Sequence, residues 1–352
     1  MARRFDTLKD LLDAPFDTVI DVRSPAEFAE DHIPGAINLP ALSNAERAQV
    51  GTIYKQDSPF KARKIGAALV ARNVAAHLEG PLAGHDGSWR PLVHCWRGGQ
   101  RSGSVAAILG QIGWRAETLE GGYQSYRRLV HAMLYDTPLP HRLVLLDGNT
   151  GTGKTALLPL LAARGMQVID LEALARHRGS LLGAMPGGQP AQKGFESALA
   201  ATLARLDPAR PVVAEAESSK IGRLILPPRL WAAMCAAPMI EVTACLADRA
   251  RFLTDAYADL GADAASLRAR LQPLRAVRGH AAVDRWEGLL AAEDGPALAR
   301  ALIEEHYDPA YARSRATQDR PCLGRVAATL DPAGLDQAAE AVAALVAAAH
   351  PA

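Results

Sequence analysis

The sequence predicts an α/β protein with two parallel-sheet units in series and a helical C-terminal segment. Three observations lead there. Short β-branched or apolar runs at 18–22, 91–94, 143–146, 166–169 and 212–214 alternate with stretches of helical pattern, the order that builds parallel sheets covered by helices. Glycine-rich turns follow the runs at 91–94 and 143–146, and each leads into helical pattern. From about Asp248 onward the chain is rich in Ala, Leu and Arg without a strand signal, which predicts helices. The length of 352 residues fits, since about 150 residues make a typical domain.

The first unit opens with a strand over 18–22 and a helical turn over 25–30. Ile33-Pro34-Gly35-Ala36 turns the chain toward the apolar pair Ile37 and Leu39. A second strand over 91–94 ends at Cys95, and 103–111 reads as a helix. Pro138 and Pro140 cannot both sit inside a helix or central strand, so 136–140 is expected to be a linker. The pattern then restarts: strand 143–146, glycine-rich turn, helix from Lys154, and strands at 166–169 and 212–214. The expected division is 1–135, linker 136–140, a second α/β domain over 141–250, and a helical region over 251–352 with an Ala-rich last helix near 336–349.

Composition excludes several classes. Hydrophobic residues make up 49% and charged residues 22%, values of a globular chain. Lys and Arg number 39 against 38 Asp and Glu, a net charge of +1, so any polyanion must be met by local basic patches. The four cysteines form no C-x-x-C pair, against a disulfide framework or a cysteine zinc site. Asp6, Lys9, Asp10 and Asp13 interrupt any signal-peptide core, and no apolar run reaches the ~18 residues of a membrane span. A soluble, cytoplasmic protein is expected.

Two constellations carry chemistry. In His94-Cys95-Trp96-Arg97-Gly98-Gly99-Gln100-Arg101-Ser102, Cys95 follows a strand, and the glycines let backbone N–H groups converge on it. Arg97, Arg101 and the positive end of the next helix favour a thiolate, so a lowered Cys95 pKa is expected. A ring of N–H donors would also hold an anionic atom attached to the sulfur, such as a persulfide or perselenide. Packing is the expectation for Cys235, Cys245 and Cys322, and a structural ion pair for Asp21 and Arg23.

Gly148-Asn149-Thr150-Gly151-Thr152-Gly153-Lys154-Thr155 fits G-x-x-x-x-G-K-T in full between a strand and a helix, the context of a P-loop. Its backbone would wrap a phosphate, Lys154 adds a full charge, and the Thr155 hydroxyl is placed for Mg²⁺. Glu217 and Asp170 end strands where a further cation contact could sit; a solvated strand end explains each equally well. Such a loop reads only phosphate oxygens. A nucleoside triphosphate and a diphosphate on a non-nucleotide substrate both satisfy it.

Asp21-Val22-Arg23-Ser24-Pro25-Ala26-Glu27-Phe28, His32-Ile33-Pro34-Gly35-Ala36-Ile37-Asn38 and the Cys95 loop resemble the rhodanese family of sulfur transferases, whose loop cysteine carries sulfur as a persulfide. A rhodanese-like domain followed by a P-loop NTPase-like domain resembles the tRNA 2-selenouridine synthase family. Further segments carry that resemblance: 42–56, His177-Arg178-Gly179-Ser180, Gln189-Pro190-Ala191-Gln192-Lys193, Glu217-Ser218 with Ile221-Gly222, and Tyr307-Asp308-Pro309-Ala310-Tyr311. The resemblance implies an insert around 41–88 in the rhodanese-like domain.

It also implies two reactions at the wobble 2-thiouridine of certain tRNAs. Geranyl diphosphate alkylates the sulfur, and selenium from selenophosphate, made by a partner enzyme, then replaces the S-geranyl group. Cys95 would carry selenium as a perselenide, with Arg97 and Arg101 stabilising its charge. The P-loop and Mg²⁺ would hold the departing diphosphate. Whether a nucleotide also enters is left open. The tRNA would meet Lys55, Lys61, Arg63 and Lys64, and a second cluster of Arg268, Arg270, Arg275, Arg278 and Arg285, with salt-dependent affinity. Trp96 or Tyr54 would stack on the exposed base. Taken singly, either cluster reads more readily as a solvated helix face. The competing assignment is a thiosulfate sulfurtransferase fused to a P-loop small-molecule kinase.

Overall fold

A computed structural model of the chain describes residues 1–180, 182–256, 264–315 and 320–350. They form two compact units, Met1–Thr137 with Pro190–Arg205, and Pro138–Gln189 with Leu206–Ala352.

The first unit holds strands β1 (Ala2–Arg3), β2 (Thr18–Asp21), β3 (Ile37–Asn38), β4 (Pro91–His94) and β5 (Glu117–Leu119). They pair in parallel in the order β1-β5-β4-β2-β3. The apolar run of β4 sits between two neighbours and is buried throughout, as a strand covered on both faces must be. Helix Pro25–Glu30 starts at a Ser24/Glu27 capping box with Pro25 in its first turn. Helices Asn44–Gln56 and Pro59–Glu79 follow, with Ser43 and Ser58 as N-caps. Val70 and Val74 of the longer one join Ile20, Val22, Val93, Val105 and Leu109 in the core.

One buried ion pair ties this unit together. The Arg23 guanidinium donates to Asp21 Oδ1 at 3.0 Å and to Oδ2 at 2.6 Å, and the two residues are 1% and 0% exposed. Arg23 also donates to the Asp31 carbonyl at 2.5 Å and lies 3.8 Å from the centre of the Tyr123 ring. Tyr123 donates to the Asp31 carboxylate at 2.6 Å. Arg127 pairs with Asp31 at 3.5 Å and with Glu196 at 2.5 Å.

Glu196 lies in helix Gln192–Arg205, which sequence order assigns to 141–250. The helix groups instead with the first unit, held by Arg127, Tyr135 (2.7 Å to Glu196) and Glu30 (2.7 Å to Lys193). Its partners lie more than 60 residues upstream, so local pattern gives no sign of them.

The second unit holds β6 (Arg142–Asp147), β7 (Gln167–Ile169), β8 (Pro211–Glu215), the hairpin β9 (Lys220–Ile221) and β10 (Leu224–Ile225), β11 (Met239–Thr243) and β12 (Cys322–Ala327). Its parallel sheet runs β12-β11-β6-β8-β7, so the chain leaves β6 first to one side and later to the other. A ligand crevice is expected at the carboxyl end of such a strand. Strand β12 corrects the expectation that everything after Asp248 is helical. It is an edge strand, exposed or half-buried at every position but Val326, and so lacks the apolar run that marks a buried one.

The last helix, Pro332–Ala349, lays Ala338, Ala339, Val342 and Val346 against Leu157, Leu158 and Leu161 of helix Lys154–Ala163. The helices between residues 264 and 307 pack around the fully buried Trp286. Among the described residues no helix is long and apolar enough to cross a membrane.

Removing Arg23 would leave Asp21 buried without a counter-charge. Arg23→Ala is therefore expected to cost about 3–5 kcal/mol in chemical denaturation, the range for breaking a buried pair from one side. A loss below about 1 kcal/mol, the ceiling for most surface pairs, would contradict that role.

Candidate active site

Cys95 follows the last residue of β4 and is 4% exposed. Helix Gln100–Ile112 begins one turn earlier than the sequence pattern suggests, which brings Arg101 and Ser102 into its first turn. The Ser102 hydroxyl donates to the Cys95 sulfur at 3.2 Å. Burial pushes the thiol up. The Ser102 hydroxyl and the N–H groups of Ser102, Arg97 and Gly99 together outweigh it, and the net shift is downward. Tyr123 N–H donates to the Cys95 carbonyl at 2.8 Å. Gly122, at φ 58°, has to be glycine because a Cβ there would overlap that carbonyl.

The flanking arginines act differently from their place in the sequence. Arg97 is exposed, while Arg101 donates to Glu27 at 3.0 Å, and Glu27 also pairs with Arg47 at 2.9 Å. The lowered thiol pKa therefore rests on amides and Ser102. Ser102 is the site residue that sequence reasoning left without a role; its signal is its place in the first turn after the loop. Trp96 is half-buried, its ring 5.2 Å from that of Tyr123.

Tyr54, Arg63 and Arg101 come together in a groove of about 640 Å³ with Leu42, Val50 and Val70. Lys55 and Lys64 are exposed, and Lys61 pairs with Asp57 at 2.6 Å. The other three cysteines are exposed, contrary to the packing expected of them. The Cys245 sulfur instead accepts the Asp248 N–H at 3.4 Å, at the start of helix Leu246–Ala256.

In the second unit residues 148–153 join β6 to helix Lys154–Ala163. Lys154 folds over the loop, its ammonium donating to the Gly148 carbonyl at 2.6 Å. Asp308 accepts from Asn149 at 2.9 Å and from the buried Arg249 guanidinium at 2.6 and 2.9 Å. Arg249 also donates twice to the Thr150 carbonyl, at 2.8 and 3.0 Å. The loop is thus braced by side chains of its own unit. Arg315 holds Asp147, the last residue of β6, through bonds of 2.9 and 3.0 Å. A cleft of about 240 Å³ lies over the loop, with Phe252, Leu253 and Ala256 forming an apolar wall beside Lys154, Thr155 and Tyr311.

The Thr155 hydroxyl lies 2.6 Å from the Glu215 carboxylate and 3.0 Å from that of Glu172. Burial, with the charges of Glu215 and Glu217, pushes Glu172 up to about 8, and burial, with the charges of Asp170 and Glu217, pushes Glu215 up to about 7. Glu217 is raised too, chiefly by burial. Asp170 caps helix Leu171–Ala175, accepting the Ala173 N–H at 2.7 Å, and its charge bears on Glu215, while Glu172 and Glu215 lie beside the Thr155 hydroxyl. Glu215 is the last residue of β8, and Glu217 lies two residues beyond it, its N–H donating to the Glu215 carbonyl at 2.9 Å.

Among the described residues no group of three or more His, Cys, Asp or Glu side chains is disposed to hold a metal alone. Mg²⁺ needs none, since it takes phosphate oxygens and water with one or two carboxylates. A crowded acidic pair beside the Thr155 hydroxyl fits that role.

In the C-terminal cluster, Arg270 donates to the Leu182 and Ala184 carbonyls, and Arg275 pairs with Asp284 and Glu287. Arg278 donates to His306, Arg285 pairs with Glu305, and Arg268 is exposed. Four of these five arginines thus have partners within their own unit.

The description "Rhodanese-like domain" matches residues 5–129, and "tRNA 2-selenouridine synthase AAA domain" matches 141–282. A tRNA 2-selenouridine synthase of Hahella chejuensis is 34% identical over 330 residues, covering 84% of this chain and 84% of that one. The chain belongs to the tRNA 2-selenouridine synthase family. A member from Ectopseudomonas mendocina is 34% identical over 84% of this chain and 87% of its own length. One from Aeromonas salmonicida is 38% identical over 68% of this chain, and that match spans 64% of the relative. The family's Tyr307–Tyr311 segment has a structural meaning here, since Asp308 braces the phosphate loop and Tyr311 lines the cleft above it.

A lowered thiol pKa means that alkylation of Cys95 by iodoacetamide rises with pH earlier than for a free cysteine. Peptide-resolved mass spectrometry separates Cys95 from the three exposed cysteines. In Ser102→Ala the Cys95 midpoint is expected to move up and its rate at pH 7 to fall; an unmoved midpoint would remove Ser102 from the site.

Proposed function

We propose that the protein modifies tRNA in the cytoplasm in two steps at the wobble 2-thiouridine. The observation that carries the first step is the cleft over the P-loop, where a phosphate cradle meets the apolar wall of Phe252, Leu253 and Ala256. Such a pairing suits a diphosphate ester of an apolar chain, for which geranyl diphosphate is the family's reagent. The sulfur of 2-thiouridine forms a bond to the first carbon of the chain. The carbon–oxygen bond to diphosphate breaks, the diphosphate leaves with the electron pair, and the N3 proton is lost to solvent. Lys154 and the loop amides gather the departing charge, and the Arg249–Asp308 brace keeps those amides aimed without reorganisation. Mg²⁺ held by Thr155 with Glu215 and Glu172 would supply further neutralisation of the diphosphate.

The second step belongs to Cys95. The selenium of selenophosphate forms a bond to C2 of the base, the carbon–sulfur bond breaks, and geranylthiol departs with a proton from solvent; water then cleaves the phosphorus–selenium bond, releasing phosphate and leaving 2-selenouridine. The amide ring and Ser102, which favour a thiolate, suit an anion held on or beside the Cys95 sulfur.

Nucleoside mass spectrometry tests both steps on thiolated tRNA incubated with geranyl diphosphate and selenophosphate. Wild type is expected to give 2-selenouridine, and Cys95→Ala to accumulate the geranylated nucleoside. Lys154→Ala is expected to lose about a hundredfold or more of both products, the scale for removing a preorganised charge. Wild type yielding no modified nucleoside while turning over thiosulfate would favour the sulfurtransferase–kinase assignment.

A further inference from the structure

A second cleft of the same unit, of about 400 Å³, adjoins the one over the P-loop, and Tyr311 and Gly179 line both. On its far side stand Trp231, Ser218, Ser219 and Arg320, none of which the reactions above use. The Lys154 ammonium and the Arg315 guanidinium each lie 5.7 Å from the centre of the Tyr311 ring. Gly179, at φ 64°, has no room for a side chain. A Cβ there would press on the carboxylates of Glu172 and Glu217, so bare backbone forms part of the shared wall. Trp231, on helix Pro228–Ala236, is half-exposed at the cleft, whereas Trp286 of the same unit is fully buried in its core.

We propose that this second cleft is the acceptor subsite, taking the unstacked pyrimidine nucleoside of the RNA substrate with its base stacked on Trp231. The inference rests on the transfer reading above. A displacement at carbon needs the nucleophile and the departing diphosphate on opposite sides of that carbon. The acceptor must therefore arrive from a cavity next to the phosphate cradle, not from within it. The second cleft meets that condition, because its rim at Tyr311 and Gly179 is also the rim of the cradle. The charge of Arg315 is already matched by Asp147, which leaves Arg320 as the cation to receive a flanking phosphate. Aromatic faces are how proteins hold bases taken out of a stack.

The test is binding of a fluorescein-labelled anticodon stem–loop carrying 2-thiouridine to the full chain, followed by anisotropy with Mg²⁺ and inorganic pyrophosphate present. Trp231→Ala is expected to weaken RNA binding about tenfold, the scale of one lost base–aromatic stack, and Trp231→Phe to restore most of it. Calorimetric affinity for pyrophosphate should stay unchanged in both variants. Unchanged RNA affinity in Trp231→Ala, or an equal fall in pyrophosphate affinity, would overturn the assignment. Should Trp231→Ala fail to fold, Arg320→Ala gives the same reading, with weaker binding and a shallower salt dependence expected and unchanged binding contradicting it. Because the readout is binding, a wild type that holds the RNA through Trp231 yet makes no geranylated nucleoside would sink the transfer reading alone.

Discussion

Backbone N–H groups left unpaired where a buried parallel strand turns into a helix are the material of both sites. A helix leaves its first N–H groups without intrahelical partners, and at the carboxyl end of a central strand those groups converge on one point. In the first unit they surround the Cys95 sulfur, and in the second they form the phosphate loop after β6. Neither arrangement needs an excess of charge, which is how a chain with a net charge of +1 can present two anion cradles.

Amide cradles work only if the loop holds its shape while empty, and buried ion pairs supply that. In the second unit Arg249 grips the Thr150 carbonyl and Asp308 together, and Arg315 fixes Asp147 just before the loop. In the first, Arg23 links Asp21 at the end of β2 to Asp31 and to the ring of Tyr123, whose backbone N–H holds the Cys95 carbonyl. Buried pairs of this kind add little net stability against an apolar replacement, because desolvation offsets most of the attraction. Their contribution here is geometric.

Charges near a site did not act by nearness along the chain. Arg101 looks like a partner for Cys95 but is held by Glu27, and in the C-terminal cluster Arg275 and Arg285 are matched by acids of neighbouring helices. The acids beside Thr155 show the reverse. Glu172 and Glu215 are crowded there at the cost of raised pKa values, an arrangement that a cation would relieve.

Features set by a few adjacent residues were legible in the sequence alone. The strands at 18–22, 91–94, 143–146 and 212–214, the glycine-rich turns after two of them, Cys95 and the full P-loop motif all depend on local backbone preference and on short spacing. Tertiary structure decided whatever depends on partners far along the chain. It recruited helix Gln192–Arg205 to the first unit through Arg127, placed β12 at the edge of the second sheet, and put Glu215 and Glu172 beside Thr155. A hydrogen bond or ion pair has a range of a few ångströms but no fixed separation in sequence. Only the folded chain therefore reveals which of many similar acids and arginines finds which partner.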